Sequence, residues 1–149
     1  MLIHIMQVLE LMKTHVVKTT PQETLRGALD LMDLYQVDGL PVVDAEGRLC
    51  GMLTEQNIWT YLLGAVAMDA EDADLLSALH SRQAVGSTQV IEVMTSNTVS
   101  VAESLDVTEA ALLLLRSGRK RLPVLNAEAQ VIGTFNRVDV CQALFEGNL

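Results

Sequence analysis

A cluster of basic residues in an otherwise acidic chain has the composition of an anion-binding site. Four of the ten Lys and Arg residues, Arg116, Arg119, Lys120 and Arg121, fall within six positions, although the formal net charge is -9. Arginine offers a planar fork of donors to phosphate oxygens, and several cations together suit a di- or triphosphate. The acidic total disfavours a general affinity for nucleic acid or for an anionic membrane, so phosphate recognition would have to be local.

Two other interpretations of this basic cluster stay open. Gly118 lies where a predicted helix would end, and cations at that position complement the helix dipole by about 0.3 to 1 kcal/mol each. The same side chains could instead contact a partner protein. Phosphate binding by at least one of Arg119, Lys120 and Arg121 is the interpretation that we favour over these two.

The cluster belongs to the second copy of an internal repeat. The stretch GLPVVDAEGRLCGMLTEQN lies over RLPVLNAEAQVIGTFNRVD without a gap, which places Pro41 over Pro123 at an offset of 82 residues. Ten of the 50 pairs that can be aligned around it are identical. An unbroken register with matching hydrophobic periods indicates duplication.

Each copy predicts the element order β-α-β-β-α. A short extended piece at residues 16–18 or 98–101 precedes a helix whose apolar residues share one face. Two short strands follow, and in the first copy Gly47 is free to adopt a positive φ in the tight turn between them. The second copy has Ala129 there, so its turn is expected to differ. The last helix begins after Thr54 or Asn136, both good N-cap residues. The helix faces comprise Leu25, Ala28, Leu29 and Met32 in the first copy, and Val107, Ala110, Ala111 and Leu114 in the second.

The composition fits two small repeats that share an aliphatic core. The chain has 149 residues, of which 50% are hydrophobic and 3% aromatic. We expect Trp59 to pack against other residues rather than to contact a ligand, and Cys50 and Cys141 to be buried thiols rather than a disulfide or a metal site. The predicted organisation is a repeat at 8–64, an acidic helical linker at 65–89 and a repeat at 90–146. No apolar run reaches the roughly 20 residues that span a bilayer and the start does not resemble a signal peptide, so we expect a soluble cytoplasmic protein.

These features resemble a known family. Tandem copies of LPVV or LPVL, a hairpin, and a glycine followed by two hydrophobic residues and a polar helix start are similar to a pair of CBS domains, often called a Bateman module. The resemblance implies an α+β fold in which the two repeats pack about a pseudo-twofold axis. It also implies binding of AMP, ADP, ATP or S-adenosylmethionine in clefts between the repeats, regulation of a partner protein, and a homodimer that forms a four-repeat disc.

The family's nucleotide motif ends in Ser or Thr, two further residues and Asp, and neither copy keeps it intact. The first copy has Thr54 but Asn57 in place of Asp, and the second has Asp139 but Asn136 in place of Ser or Thr. The resemblance implies that the Asp accepts from ribose hydroxyls, and a carboxylate has acceptor sites for both hydroxyls of a diol. The Asp139 cleft is therefore the better candidate, and the Asn57 cleft the weaker or empty one. Helix capping by Asn136 and Asp139 is the competing interpretation.

The resemblance implies further residues around the Asp139 cleft. The first copy's leading strand, with His15 and Val17, would offer backbone contacts to the base, and residues just before LPVV would line the cleft. Relatives often place basic residues toward phosphates from this pre-strand position. The pre-strand residues are Val37, Asp38 and Gly39 in the first copy, and Arg119, Lys120 and Arg121 in the second.

The predicted function is a regulatory module that senses an adenosine-containing nucleotide, requires no cofactor and signals to a separate partner. The alternative is a structural or protein-interaction module whose nucleotide sites have decayed. The sequence contains no HExxH, GxSxG or P-loop motif, so we do not predict an enzyme. Neither nucleic acid nor a membrane is an expected partner.

Overall fold

The secondary structure recurs in the same order in the two copies of the sequence repeat. The computed structural model of the chain describes residues 5–64 and 72–149. The chain forms two compact units: unit 1 contains Met1–Val16, Glu46–Leu49 and Thr98–Leu149, and unit 2 contains Val17–Ala45 and Cys50–Asn97. Both units are discontinuous in sequence. The boundaries 8–64, 65–89 and 90–146 concern sequence similarity and stay a prediction.

Unit 2 is built on a two-stranded sheet of β1 (Gly39–Val43) and β2 (Leu49–Thr54). Thr19 adds a parallel bridge to Val42 of β1, and Thr95 adds an antiparallel bridge to Met52 of β2. The helices of the unit are α2 (Leu25–Tyr35), α3 (Glu55–Leu63), α4 (Asp72–Ser81) and the 3₁₀ helices Gln83–Ser87 and Val90–Glu92. Its buried core consists of Leu25, Ala28, Met32, Leu40, Val42, Leu53 and Val90.

Unit 1 repeats this arrangement with a three-stranded sheet. Strand β4 (Arg121–Leu125) pairs in parallel with β3 (Val101–Ala102) and antiparallel with β5 (Val131–Asn136). Lys13 adds an antiparallel bridge to Thr134 of β5. The helices of the unit are α1 (Val8–Leu11), α5 (Val107–Ser117) and α6 (Arg137–Phe145). Its buried core consists of Val8, Val101, Val107, Ala110, Leu114, Leu122, Val124 and Phe135.

The two units complete their sheets in the same way. Lys13 lies near the start of the first copy but pairs with a strand of the second, and Thr95 lies near the start of the second copy but pairs with a strand of the first. Lys13 and Thr95 are related by the same offset as Pro41 and Pro123. The α+β prediction with duplicated β-α-β-β-α units is confirmed.

Local capping residues set the ends of α2 and α5. Thr24 caps α2 by accepting from a backbone N–H at 3.1 Å, and Asp106 caps α5 in the same way at 2.7 Å. Gly118 ends α5 in the left-handed conformation with φ 69°. The predicted face of α2 is buried except at Leu29, which is 47% exposed. Leu29 lies at the edge of the apolar stripe, beyond the narrow line of residues that reaches the core.

Among the described residues, two that are not glycine adopt the left-handed conformation, and the repeat explains both. Gln36 (φ 54°) aligns with Gly118, and Ala129 (φ 63°) aligns with Gly47 (φ 81°). The prediction that the turn at Ala129 differs is therefore wrong for this dihedral angle. The Asn126 side chain holds the turn by accepting from two backbone N–H groups, at 3.0 and 2.9 Å. An L-residue in this conformation carries a strain of roughly 1–2 kcal/mol.

Replacing Ala129 with glycine is expected to stabilise the protein by about 0.5–1 kcal/mol, because released strain exceeds the added entropy of the unfolded chain. The matched control is Gly47→Ala, since a Cβ at Gly47 meets nothing within 4 Å and adds no steric clash to the opposite changes in strain and chain entropy. It should destabilise by a similar amount. Urea unfolding of both variants measures the two effects, and equal signs would contradict the assignment of φ at these turns.

The structure differs from the prediction at two side chains, and it describes only part of the predicted linker. Trp59 lies on the outward face of α3 and is 60% exposed, so the expectation that it packs is wrong. Cys141 lies on the outward face of α6 and is exposed, so its predicted burial is wrong, whereas Cys50 is half-buried. The predicted linker is helical from Asp72 to Ser81. Its residues 65–71, with much of the acidic run, lie outside the described residues.

Candidate functional site

The motif residues of the second copy lie where β5 passes into α6. Asn136 is the last residue of β5 and Asp139 the third residue of α6. The Asp139 side chain is only 7% exposed, and its Oδ1 lies 3.3 Å from Nζ of Lys13. Its Oδ2 is buried without a hydrogen-bond partner among the described residues. Burying a carboxylate oxygen without a donor costs free energy, and a native protein that keeps such a group calls for an explanation.

Asn136 presents a second acceptor of this kind. Its Oδ1 is buried and has no hydrogen-bond partner in the part of the chain that the structure describes. Asn136 occupies the N-cap position of α6, yet its side chain makes no capping hydrogen bond. Capping is therefore the wrong interpretation of Asn136. Asp139 lies in the first turn, where its charge does complement the helix dipole.

The basic residues of the second copy lie close to these acceptors along the fold. Arg121 begins β4 and its Cα is paired with that of Asn136, so the two side chains project from the same face of the sheet. The Lys120 carbonyl accepts from the N–H of Arg137 at 3.0 Å, where α6 begins. Unit 1 thus brings basic residues to the N-terminal end of a helix, which attracts anions through its dipole.

The first residue of the basic cluster lies in the last turn of α5. Arg116 lies in the last turn of α5, as the helix-dipole interpretation requires. Arg119 follows Gly118, and its N–H donates to Oγ of Ser117 at 3.1 Å. The cluster therefore divides into one cation on the helix and three residues beyond it that lead into β4.

The corresponding residues of the first copy bond to each other. Oγ1 of Thr54 accepts from the N–H of Asn57 at 3.1 Å, and Oδ1 of Asn57 accepts from the N–H of Thr54 at 2.9 Å. Nδ2 of Asn57 also lies 3.4 Å from Oγ1 of Thr95. This reciprocal capping box uses the two side chains that the family motif would direct at a ligand.

Replacing Thr54 with alanine is expected to lower the free energy of unfolding by about 1 kcal/mol, because it removes the N-cap of α3. The matched variant is Asn136→Ala at the aligned position. It should cost much less, since Asn136 makes no capping bond and its buried acceptor oxygen is removed. Thermal unfolding of both variants gives the comparison, and an equal loss in the two would contradict the difference in capping.

The other predicted site residues divide between the units. His15 is an exposed residue of unit 1. Val17 and Val37 pack against the core of unit 2, Gly39 begins β1, and the Asp38 carbonyl accepts from the first N–H of α3 at 2.9 Å. Their participation in a site with Asp139 stays a prediction.

Sequence reasoning missed the two residues that contact the end of each motif, Lys13 and Thr95. Each is held by paired backbone hydrogen bonds at the edge of a sheet. Their common position in the repeat was visible in the identical pair Met12 and Met94 just before them. Nothing in the sequence indicated that these segments exchange partners between the copies.

Across residues 5–64 and 72–149, no group of three or more His, Cys, Asp and Glu side chains is arranged to hold a metal ion. Within the same residues, no helix has the length and apolar character needed to cross a membrane.

Duplicated units in which a strand containing glycine leads into a polar helix start define a tandem pair of small α+β domains. The family model for the CBS domain matches residues 8–58 and 90–146, and the chain belongs to the CBS-domain family. It is similar to an inosine-5'-monophosphate dehydrogenase of Methanocaldococcus jannaschii, with 26% identity over 125 residues that cover 84% of this chain and 21% of that protein. It is also similar to the chloroplastic CBS domain-containing protein CBSX2 of Arabidopsis thaliana, with 29% identity over 143 residues that cover 89% of this chain and 59% of that protein. The chain therefore spans less than two thirds of either relative.

Solved structures confirm the fold. The crystal structure of MJ1225 from Methanocaldococcus jannaschii has a TM-score of 0.79 and 27% identity, over 95% of this chain and 51% of that chain. The crystal structure of CBSX2 in complex with AMP has a TM-score of 0.73 and 27% identity, over 96% of this chain and 98% of that chain. The prediction of a CBS-domain pair is confirmed.

Proposed function

We propose that this chain is a non-catalytic regulatory module that binds an adenosine-containing nucleotide at Asp139. The observation that carries the proposal is the pair of buried acceptors, Asp139 Oδ2 and Asn136 Oδ1, which have no donor among the described residues. Buried polar groups are nearly always hydrogen-bonded, so two exceptions three residues apart favour a ligand that supplies the donors. A ribose diol offers two donors. The AMP bound in the CBSX2 structure supports this ligand class.

The basic residues favour an anionic nucleotide over S-adenosylmethionine. Arg121 projects from the sheet face that carries Asn136, and Arg119 and Lys120 precede it directly. Arginine binds phosphate oxygens through two parallel N–H groups, and the N-terminal end of α6 adds a favourable dipole. S-adenosylmethionine carries a sulfonium cation in place of phosphate, so these groups would repel part of it. We therefore rank AMP, ADP and ATP above S-adenosylmethionine.

A thermal-shift series with AMP, ADP, ATP and S-adenosylmethionine, with and without Mg²⁺, tests the proposal. A ligand at 100 times its Kd stabilises the native state by about 2.7 kcal/mol, which corresponds to a rise of roughly 5–10 °C in Tm for a chain of this length. We expect the nucleotides to raise the Tm more than S-adenosylmethionine does. No shift with any of the four at millimolar concentration would contradict nucleotide sensing.

The second candidate function is a structural or protein-interaction module without a ligand. The capping box of Thr54 and Asn57 favours it for the first copy, because both side chains already have partners. The second copy lacks such a closed arrangement. A regulatory role further requires that the ligand has different affinities for two conformations, through which a partner protein responds.

We also propose that the chain forms a homodimer through the helices of unit 1. Leu115 on α5 and Phe145 on α6 are 77% and 84% exposed, and the two helices are in contact. Soluble monomers rarely expose large apolar patches, which more often mark association surfaces.

Light scattering is expected to give about twice the chain mass of 16.2 kDa for the unmodified protein. Leu115→Lys should lower that mass toward the monomer, because a desolvated cation opposes association. The control is Leu76→Lys on α4 of unit 2, where the leucine is 67% exposed and the dimer should persist. A monomer in the unmodified protein, or an unchanged dimer in Leu115→Lys, would contradict this interface.

A further inference from the structure

We infer that Lys13 regulates the Asp139 site by competing with the ligand for the carboxylate, an inference that rests on the proposed function. The Lys13 ammonium lies 3.3 Å from Oδ1 of Asp139. A carboxylate oxygen has two acceptor positions, so Lys13 and a ribose hydroxyl can both bond to Oδ1. The ammonium nevertheless offsets part of the carboxylate charge, which weakens the hydrogen bonds that a diol makes to Asp139.

The backbone of Lys13 is fixed where its side chain reaches the site. Its N–H donates to the Thr134 carbonyl at 2.9 Å, and its carbonyl accepts from the Thr134 N–H at 2.9 Å. Thr134 is two residues before Asn136 on β5. The ammonium thus reaches Asp139 from a residue whose backbone is fixed at the edge of the sheet.

The first copy contains the same arrangement, which shows that the contact belongs to the repeated fold. Thr95 is held by Met52 through two backbone hydrogen bonds, both 2.9 Å, and its Oγ1 lies 3.4 Å from Nδ2 of Asn57. In both units the residue at the sheet edge therefore contacts the last residue of the motif. Only in unit 1 is this a contact between opposite charges, so only there can salt modulate it.

The exposure of the two partners sets the strength of the competition. The Lys13 side chain is 62% exposed and that of Asp139 is 7% exposed. The ammonium can return to water at little cost, whereas the carboxylate stays buried and needs a replacement donor. An ion pair with one exposed partner weakens binding of a competitor by a small factor, about two- to five-fold.

Adenosine is the appropriate probe, because it carries the diol but no phosphate that Lys13 could contact. Isothermal titration should show adenosine binding to Lys13→Met about two- to five-fold more tightly than to the unmodified chain. Lys13→Arg keeps the cation and should bind like the unmodified chain. Arg26→Met removes an exposed cation on α2 of unit 2, outside the predicted site, and should also leave the affinity unchanged.

Salt gives a second readout that needs no variant. Raising NaCl from about 0.1 M to about 1 M shortens the Debye length from about 10 Å to about 3 Å. The attraction between the exposed Lys13 ammonium and the Asp139 carboxylate is then weaker. The affinity of the unmodified chain for adenosine should therefore rise with salt, and that of Lys13→Met should rise less.

The outcomes separate this inference from the proposed function. If AMP and adenosine bind but Lys13→Met binds adenosine no more tightly, or salt acts equally on both chains, the competition is overturned and nucleotide binding stands. If neither AMP nor adenosine binds the unmodified chain or Lys13→Met, the proposed function fails and the competition fails with it. Tighter binding to Lys13→Met, together with the difference in salt response, is the expected result.

Discussion

Asp139→Asn is expected to weaken AMP binding by roughly 10- to 100-fold. Asparagine keeps the shape of the side chain but loses the charge, and one acceptor oxygen becomes a donor that faces the ribose hydroxyls. A hydrogen bond to a charged group contributes about 1.5–3 kcal/mol, and 1.4 kcal/mol corresponds to a factor of ten in Kd. Isothermal titration with AMP measures the change directly.

The same substitution should leave the ligand-free protein at least as stable as before. Asp139 is a buried carboxylate with one oxygen that has no donor among the described residues. Its ion pair is with an exposed lysine, and such pairs contribute only about 0–1 kcal/mol. Lost binding with an unchanged or higher Tm would show that the carboxylate is kept for a ligand and not for folding.

The matched control is Asn57→Ala at the aligned position of the first copy. It removes one half of the capping box in unit 2 and should lower the Tm, while AMP binding at Asp139 persists. Asp139→Asn is thus expected to lower the affinity for AMP but not the Tm, and Asn57→Ala to lower the Tm but not the affinity. If Asn57→Ala weakens AMP binding as much as Asp139→Asn does, the assignment of the site to the second copy is wrong.

Sequence periodicity predicted the elements well because the determinants are local. The glycine after α5 and the strands around LPVV and LPVL each depend on residues within a few positions. Alignment of the copies also explains the dihedral angles of Gln36 and Ala129, since each takes the position of a glycine in the other copy. The error at Ala129 arose because residue type was given more weight than the shared backbone.

Features that depend on distant contacts could not be predicted. Whether Asn136 caps α6 depends on the rotamer that its surroundings allow, and both Asn136 and Thr54 are good capping residues in isolation. Lys13 reaches Asp139 only because its segment pairs with a strand of the other copy. Exposure of Cys141 likewise depends on which side of α6 faces the core, and the weak amphipathicity of that helix does not reveal it.

Gly133→Ala is expected to cause the largest loss of stability among the variants considered for unit 1. A Cβ at this position would lie 2.5 Å from the Lys13 carbonyl oxygen and 2.9 Å from Sδ of Met12. The carbonyl is a backbone atom bonded to the Thr134 N–H at 2.9 Å, so it cannot retreat without breaking the sheet edge. Overpacking costs about 1–3 kcal/mol, and a loss near the upper value would lower the Tm by roughly 6–12 °C.

Alanine substitutions at two other glycines provide the comparison, with stability measured by urea or thermal unfolding. A Cβ at Gly51, the aligned residue of unit 2, would lie 2.8 Å from the Thr95 carbonyl, and one at Gly86 would meet its nearest atom at 3.6 Å. The loss should therefore fall in the order Gly133→Ala, Gly51→Ala, Gly86→Ala, with the last close to zero. Similar unfolding midpoints for the Gly133 and Gly86 variants would show that the Lys13 segment does not pack against β5 so closely. Because the same displacement would move Lys13 away from Asp139, the glycine is needed both to close the sheet and to keep the ammonium beside the Asp139 carboxylate.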